Sequence, residues 1–186
     1  MRISKSACLL AAVFIAASLP AGPASAASSA DLPSLEIGAI GYNAYGADTA
    51  ANRNAEYVDV KNVSAAPVNV AGLLVQDSWA RGNNRTERCN TFTLAAGALP
   101  VVEGGTADML PAGDTLRVSM GAGTPSVRDG VHRVYRDMPT RCGYNGHIFS
   151  NGAGSNRWAP WDTAWITLGG ASESKGYNFS FGYVAK

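Results

Sequence analysis

The sequence predicts an all-β chain folded as a β-sandwich of about seven to nine short strands. Three observations lead there. Short stretches alternate apolar and polar residues with period two, and turn residues separate them. Glycine is abundant (21 residues), charge is sparse (16%), and no segment keeps a helical period. The stretch Glu56–Asp77, EYVDVKNVSAAPVNVAGLLVQD, reads as two strands joined by a polar turn, a hairpin on which the other strands build.

Taken in order, the chain starts with a segment outside the predicted fold. Arg2 and Lys5 form a positive region, Leu9 to Leu19 is an apolar run too short to span a bilayer, and Ala24-Ser25-Ala26 is a small-residue cleavage site. Residues 1–26 therefore read as a secretory signal peptide, and the mature chain is expected outside the cell with no membrane span. Cys8 precedes most of the apolar run, which does not suit a lipoprotein cysteine. Cleavage leaves 160 of the 186 residues, one domain's worth, and moves the net charge from +1 to −1, because Arg2 and Lys5 are lost and all 14 acids are kept. That balance gives no general preference for nucleic acid.

Residues 27–34 read as a flexible lead-in, and residues 35–186 as the domain. Leu35 to Tyr42 is a strand whose glycines suggest close packing or a bulge. Asn43 to Asn54 is a turn-rich loop. In the hairpin, Val58, Val60 and Asn62 share one side of the pleat, with Tyr57, Asp59 and Lys61 on the other. Val68 and Val70 resume the pattern, Gly72 marks a kink, and Leu73 and Val75 continue it. Asp77 to Asn90 is a polar loop, and Thr91–Leu94 a short strand with Phe92 and Leu94 on one face. Gly97 to Gly113 is a loop. Asp114 to Met120 is a half-buried strand, with Leu116, Val118 and Met120 inward and Thr115, Arg117 and Ser119 outward. Gly121 to Gly146 shows no regular pattern and reads as a long loop, either functional or inserted. His147–Phe149 is a short strand candidate and Asn151–Pro160 a loop. Thr163–Leu168 is a strand with Ala164, Ile166 and Leu168 together and Trp165 opposite. Gly169-Gly170 turns the chain, and Tyr177–Val184 is a last strand that pins the chain end into a sheet.

Several of these motifs together resemble the lamin tail domain family. Glu56–Asn62, then Pro67–Gly72, then Asp77, is similar to that family's E-Y-V-E-L-x-N, turn, V-D-L-S-G-W and later D. Thr91–Leu94 and Leu110–Asp114 resemble its F-x-L-P-x-G and L-x-P-G-G stretches, and Asn156–Leu168 its W-x-N-x-G-D-T-V-x-L strand. Ile37–Asn43 fits its opening strand. The resemblance implies an immunoglobulin-like β-sandwich acting as an exported, non-catalytic binding or structural module, with no catalytic residues or cofactor to carry over. The chain departs from the pattern at Leu73, where the family often has tryptophan, in the length of residues 121–146, and in the pair Cys89 and Cys142.

Those two cysteines are the ones left after cleavage. Export makes a disulfide the default, worth at most roughly 4 kcal/mol for so long a loop, and two free thiols are the alternative. His132 and His147 have no metal-ligand spacing, and no G-x-S-x-G elbow occurs. Asp108, Asp114 and Asp162 are carboxylates that nothing in the sequence orders into an acid/base pair. Asp48, Asn52, Asn54 and Glu56 offer oxygens to calcium but read better as a polar turn, so no metal is assigned. The reading is not an enzyme.

The arginines are unevenly placed. Arg81, Arg85 and Arg88 precede Cys89, and Arg128, Arg133, Arg136 and Arg141 precede Cys142. These are seven of the thirteen mature cations. Against Glu87, Asp129 and Asp137 they leave a local net of +4, while the other six cations and eleven acids leave −5. A disulfide would bring the two loops together as a basic patch for an anionic partner: cell-wall polymer, acidic polysaccharide or extracellular nucleic acid. Trp79, Trp158, Trp161 and Trp165 raise the alternative of a carbohydrate-binding module that stacks sugars on exposed rings. A further extracellular protein is another candidate partner, and a small secreted hydrolase is the weakest reading.

Overall fold

Strand residues facing alternately in and out build two main layers with one apolar interior. A computed structural model describes residues 32–42, 53–82, 91–137, 161–178 and 184–185, with the backbone alone for Trp79, Trp161, Asp162, Asn178, Val184 and Ala185. The elements are β1 (Leu35–Gly41), a 3₁₀ turn (Arg53–Ala55), β2 (Tyr57–Asn62), β3 (Val68–Asn69), β4 (Leu74–Gln76) and α1 (Ser78–Gly82). They continue with β5 (Thr91–Thr93), β6 (Met109–Leu110), β7 (Thr115–Ser119), β8 (Ser126–Arg128) and β9 (Val131–Tyr135). The last are β10 (Trp161–Leu168), β11 (Ala171–Asn178) and β12 (Val184–Ala185). One sheet has the order β12-β1-β2-β7-β9-β8, a second β11-β10-β4-β5, and β3 and β6 pair separately. The chain is an all-β sandwich.

The predicted alternation holds where the layers meet. Val58, Val60, Leu116, Val118, Met120, Leu73, Val75, Ala164 and Ile166 are all fully buried. Burying a branched aliphatic side chain contributes roughly 1.5–3 kcal/mol. β1 carries the expected bulge, a register shift between Ile37 and Ile40 opposite β2. The bulge leaves carbonyls out of the ladder, and Lys175 Nζ of β11 donates to Gly38 O at 2.7 Å. At the same edge the rings of Tyr42 and Tyr177 stack, with centroids 5.0 Å apart. At the other edge the Arg136 guanidinium, beyond β9, donates to the Thr91 carbonyl of β5 through Nε (3.1 Å) and Nη2 (2.8 Å). Burial pushes the Arg136 pKa down.

Glu56–Asp77 is not a hairpin. β2 has β1 on one edge and β7 on the other, while β4 pairs with β10 and β5 in the opposite sheet. The polar turn carries the chain between layers. Asn62, fully buried, directs this crossing. Its Nδ2 donates to Ala66 O (2.8 Å), Leu110 O (2.9 Å) and Pro111 O (3.0 Å), and its Oδ1 accepts from Ser64 N (2.9 Å) and Ser64 Oγ (2.7 Å).

Residues 121–137 are not a long loop either. They contain β8 and β9, joined by Asp129-Gly130, both at positive φ (51° and 72°), the geometry of a two-residue hairpin turn. β9 lies parallel to β7. The Asp77–Asn90 loop holds the short α1, whose first turn is capped by Asp77 Oδ1 accepting from Ala80 N at 2.7 Å. The Gly97–Gly113 loop contributes β6. The final strand begins earlier than expected, at Ala171, and β12 pairs with β1, so the chain end does join a sheet.

Leu32 is buried at the start of the described chain and accepts a hydrogen bond from Leu35 N (3.3 Å). The signal segment, Asp48, Asn52, His147–Phe149 and Asn151–Pro160 lie outside the described residues. Among those described, no helix is long and apolar enough to cross a membrane.

Candidate functional site

Because β2, β7 and β9 turn Val58/Val60, Leu116/Val118 and His132/Val134 inward, their intervening residues lie on the opposite face, where Asp59 and Ser119 are nonetheless buried. Register lines these up across the six-stranded sheet. One row runs Asp59, Arg117, Arg133, Ser126, and the next Tyr57, Ser119, Tyr135. Neighbouring backbones in such a row are about 4.8 Å apart, so the side chains are near neighbours.

Arg117 is held tightly. Its Nε donates to Asp59 Oδ1 and its Nη2 to Asp59 Oδ2, both at 2.7 Å, and its guanidinium lies 3.9 Å from the Tyr57 ring centroid. The hydrogen bonds to Asp59 raise the Arg117 pKa, with burial opposing and the Asp59 charge assisting.

Arg133 is different. It is half-buried beside Arg117, and its Nε finds no hydrogen-bond partner among the described residues. No carboxylate there makes an ion pair with it: Asp59 is taken by Arg117, Asp129 lies beside Arg128, and Asp114 faces His132. Two arginines side by side on a sheet repel each other, and Asp59 neutralises one of them. Arg128 sits at the end of β8, exposed, 3.3 Å from exposed Asp129, an arrangement that contributes little to stability. Tyr135 packs its ring against the Gly123 backbone, where any Cβ would collide with it.

Of the arginines singled out in the sequence, Arg128 and Arg133 share this face. Arg136 reaches across the sandwich edge. Arg81, on α1, belongs to the opposite sheet: its Nη1 donates to Thr167 Oγ1 (2.8 Å), its Nη2 to Ser172 Oγ (3.2 Å), and its guanidinium lies 4.9 Å from the Trp165 ring centroid. Trp165 is half-buried on the outer face of β10, with Arg81 over its ring. Trp79 falls in α1 and Trp161 opens β10. Arg85, Arg88, Arg141, Trp158, Cys89 and Cys142 lie outside the described residues. Arg117, Tyr57, Tyr135 and Ser126 were not singled out by sequence, although the outward placing of Arg117 and Tyr57 was legible from their strands.

The carboxylates have structural duties. Asp108, at φ 57°, accepts from Gly97 N (2.6 Å) and Leu99 N (3.4 Å). Asp114 Oδ2 faces His132 Nε2 at 3.0 Å, while His132 Nδ1 lies 2.7 Å from Pro100 O. That carbonyl can only accept, so Nδ1 carries a proton. The His132 ring is buried and joins β9 to the 99–101 loop and the start of β7. Asp162 opens β10 beside Trp161. Asn54 donates to Ala122 O at 2.8 Å, and Glu56 is buried. Among the described residues no three His, Cys, Asp or Glu side chains group as metal ligands. Comparison with protein-family models, curated proteins and solved structures returned no match.

Proposed function

We propose that this protein is a secreted, non-catalytic binding module that engages an anionic extracellular polymer through the arginine-bearing outer face of its six-stranded sheet. The observation that carries the reading is Arg133: a half-buried guanidinium with an unpaired Nε, set next to a second arginine whose charge is already used. An anion from outside would meet the terminal nitrogens of the guanidinium, the buried Nε staying out of its reach, and relieve the repulsion between neighbours. The motif resemblance to lamin tail domains supports the same class of protein, a frame that presents surfaces rather than performs chemistry. The stretch 128–141, with four arginines against two aspartates, adds to it.

The test is binding of the mature chain to immobilised acidic polymers, with salt raised from about 0.05 to about 0.5 M. Binding is expected to weaken with salt and to drop in Arg133→Gln, while Arg81→Gln, on the other sheet, leaves it unchanged. Binding indifferent to both salt and Arg133 overturns the proposal.

A further inference from the structure

Building on that reading, we infer that the polymer is a sparsely charged acidic polysaccharide, bound with one carboxylate on Arg133 and a sugar ring against Tyr135. The charges of the face decide between polymer types. Among the described residues of the face, Glu36 and Lys61 are register partners, Asp59 holds Arg117, and Asp129 lies beside Arg128, so one guanidinium there, that of Arg133, is left over. A chain bearing a phosphate at every unit would lay further negative charge over Asp59 and Asp129. A glycan with one carboxylate per several hydroxyls would not, and its hydroxyls can donate to Asp129 and exchange hydrogen bonds with exposed Ser126, the register partner of Arg133.

The geometry supplies the ring contact as well. Tyr135 follows Arg133 by two residues on β9, so both point to the same side about 6.6 Å apart along the strand, a span suited to a pyranose ring and its carboxylate. Arg133, its Nε buried, presents its two terminal nitrogens as a planar fork for a planar carboxylate, and the half-buried Tyr135, part of its ring covered by Gly123, offers its exposed part to the sugar's C–H groups.

The experiment titrates the mature full-length chain with polygalacturonate methyl-esterified at most of its units, with the same polymer after its remaining carboxylates are reduced to alcohols, and with single-stranded DNA of similar length, following heat by calorimetry. Polygalacturonate is expected to bind, carboxylate reduction to cost about tenfold or more, and Arg133→Gln to cost a similar factor. Arg133→Lys, which keeps charge and loses the fork, should fall between, and Tyr135→Leu should weaken the glycan without changing the salt dependence. Urea unfolding of each variant shows that it is folded. DNA binding as tight as polygalacturonate, lost in Arg133→Gln, would overturn the glycan assignment and uphold the broader anionic-polymer reading. Equal binding of the reduced polymer would overturn the carboxylate contact. No salt-sensitive binding to any of the acidic polymers would overturn both.

Discussion

Replacing Asn62 by alanine tests whether the crossing between layers is held by one side chain. Nδ2 has two protons for three carbonyls, and Oδ1 accepts from both the amide and the hydroxyl of Ser64. The groups left behind differ in their access to water. The Leu110 carbonyl bond is buried, so its loss costs about 1–3 kcal/mol. Ala66, Pro111 and Ser64 lie nearer the surface and rehydrate, so their bonds together add about 1–2 kcal/mol rather than a full desolvation penalty each. The expected destabilisation is therefore about 3 kcal/mol. With a urea slope of about 1–3 kcal/mol/M, that moves the unfolding midpoint down by roughly 1–3 M. Asn62→Asp separates hydrogen bonding from packing. It keeps the shape and the Ser64 bonds but turns an oxygen toward three carbonyls, and it should cost at least as much as alanine. Tryptophan fluorescence against urea reads both. If either variant stays within about 0.5 kcal/mol of the parent, the crossing is not held this way.

Gly41→Val should abolish stable folding at 37 °C, since a Cβ there would fall 2.6 Å from Tyr57 Cε1 and still closer to the Ala55 carbonyl; soluble yield and thermal melting check it. Gly130→Val should cost about 1–2 kcal/mol by forcing a β-branched residue to φ 72° at the β8–β9 turn, measured as a lower urea midpoint. His132→Phe should cost about 2–3 kcal/mol, since it fills the space but leaves the Pro100 carbonyl and Asp114 without their partner; unfolding with unchanged slope is the readout. Asp59→Asn should lower stability by about 1–2 kcal/mol and raise affinity for acidic polymers, because it releases Arg117 beside Arg133; calorimetry that finds weaker binding would contradict the charge account of the face.

What the sequence made legible was local. The alternation in β2, β7 and β10 placed Val58, Val60, Leu116, Val118 and Ile166 inward, and each is buried. Gly38 and the β1 bulge, Gly169-Gly170 and the pinned chain end were readable for the same reason: they depend on neighbours in sequence. Partner choice was not. Two apolar runs with a short polar turn predict a hairpin unless something captures the turn, and Asn62 does so with carbonyls 48 and 49 residues away. β8 and β9 carried a readable Asp129-Gly130 turn signal. The arginines and His132 hid the alternation, because a buried histidine looks polar until its partners, 32 and 18 residues off, are known. α1 is too short for a periodicity, although its Asp77 cap was in view.

The candidate site follows the same division. Charge clustering in the sequence pointed to Arg128 and Arg133 but could not separate them from Arg81 and Arg136, which bond to groups of the sandwich itself. Separation needs the pairing of β7 with β9, a parallel contact that sets Arg133 next to Arg117 rather than next to an acid. Asp59 reaches one guanidinium, and its bidentate grip together with the Tyr57 ring keeps Arg117 from turning to share the carboxylate. A sheet selected for stability alone would place an acid or a neutral residue at 133, since like charges in register cost energy. The proposed anionic ligand is the counter-charge that would offset this cost. In the proposed binding mode the Asp59–Arg117 pair belongs to the site, because among the described residues of this face it leaves Arg133 as the guanidinium without an acid.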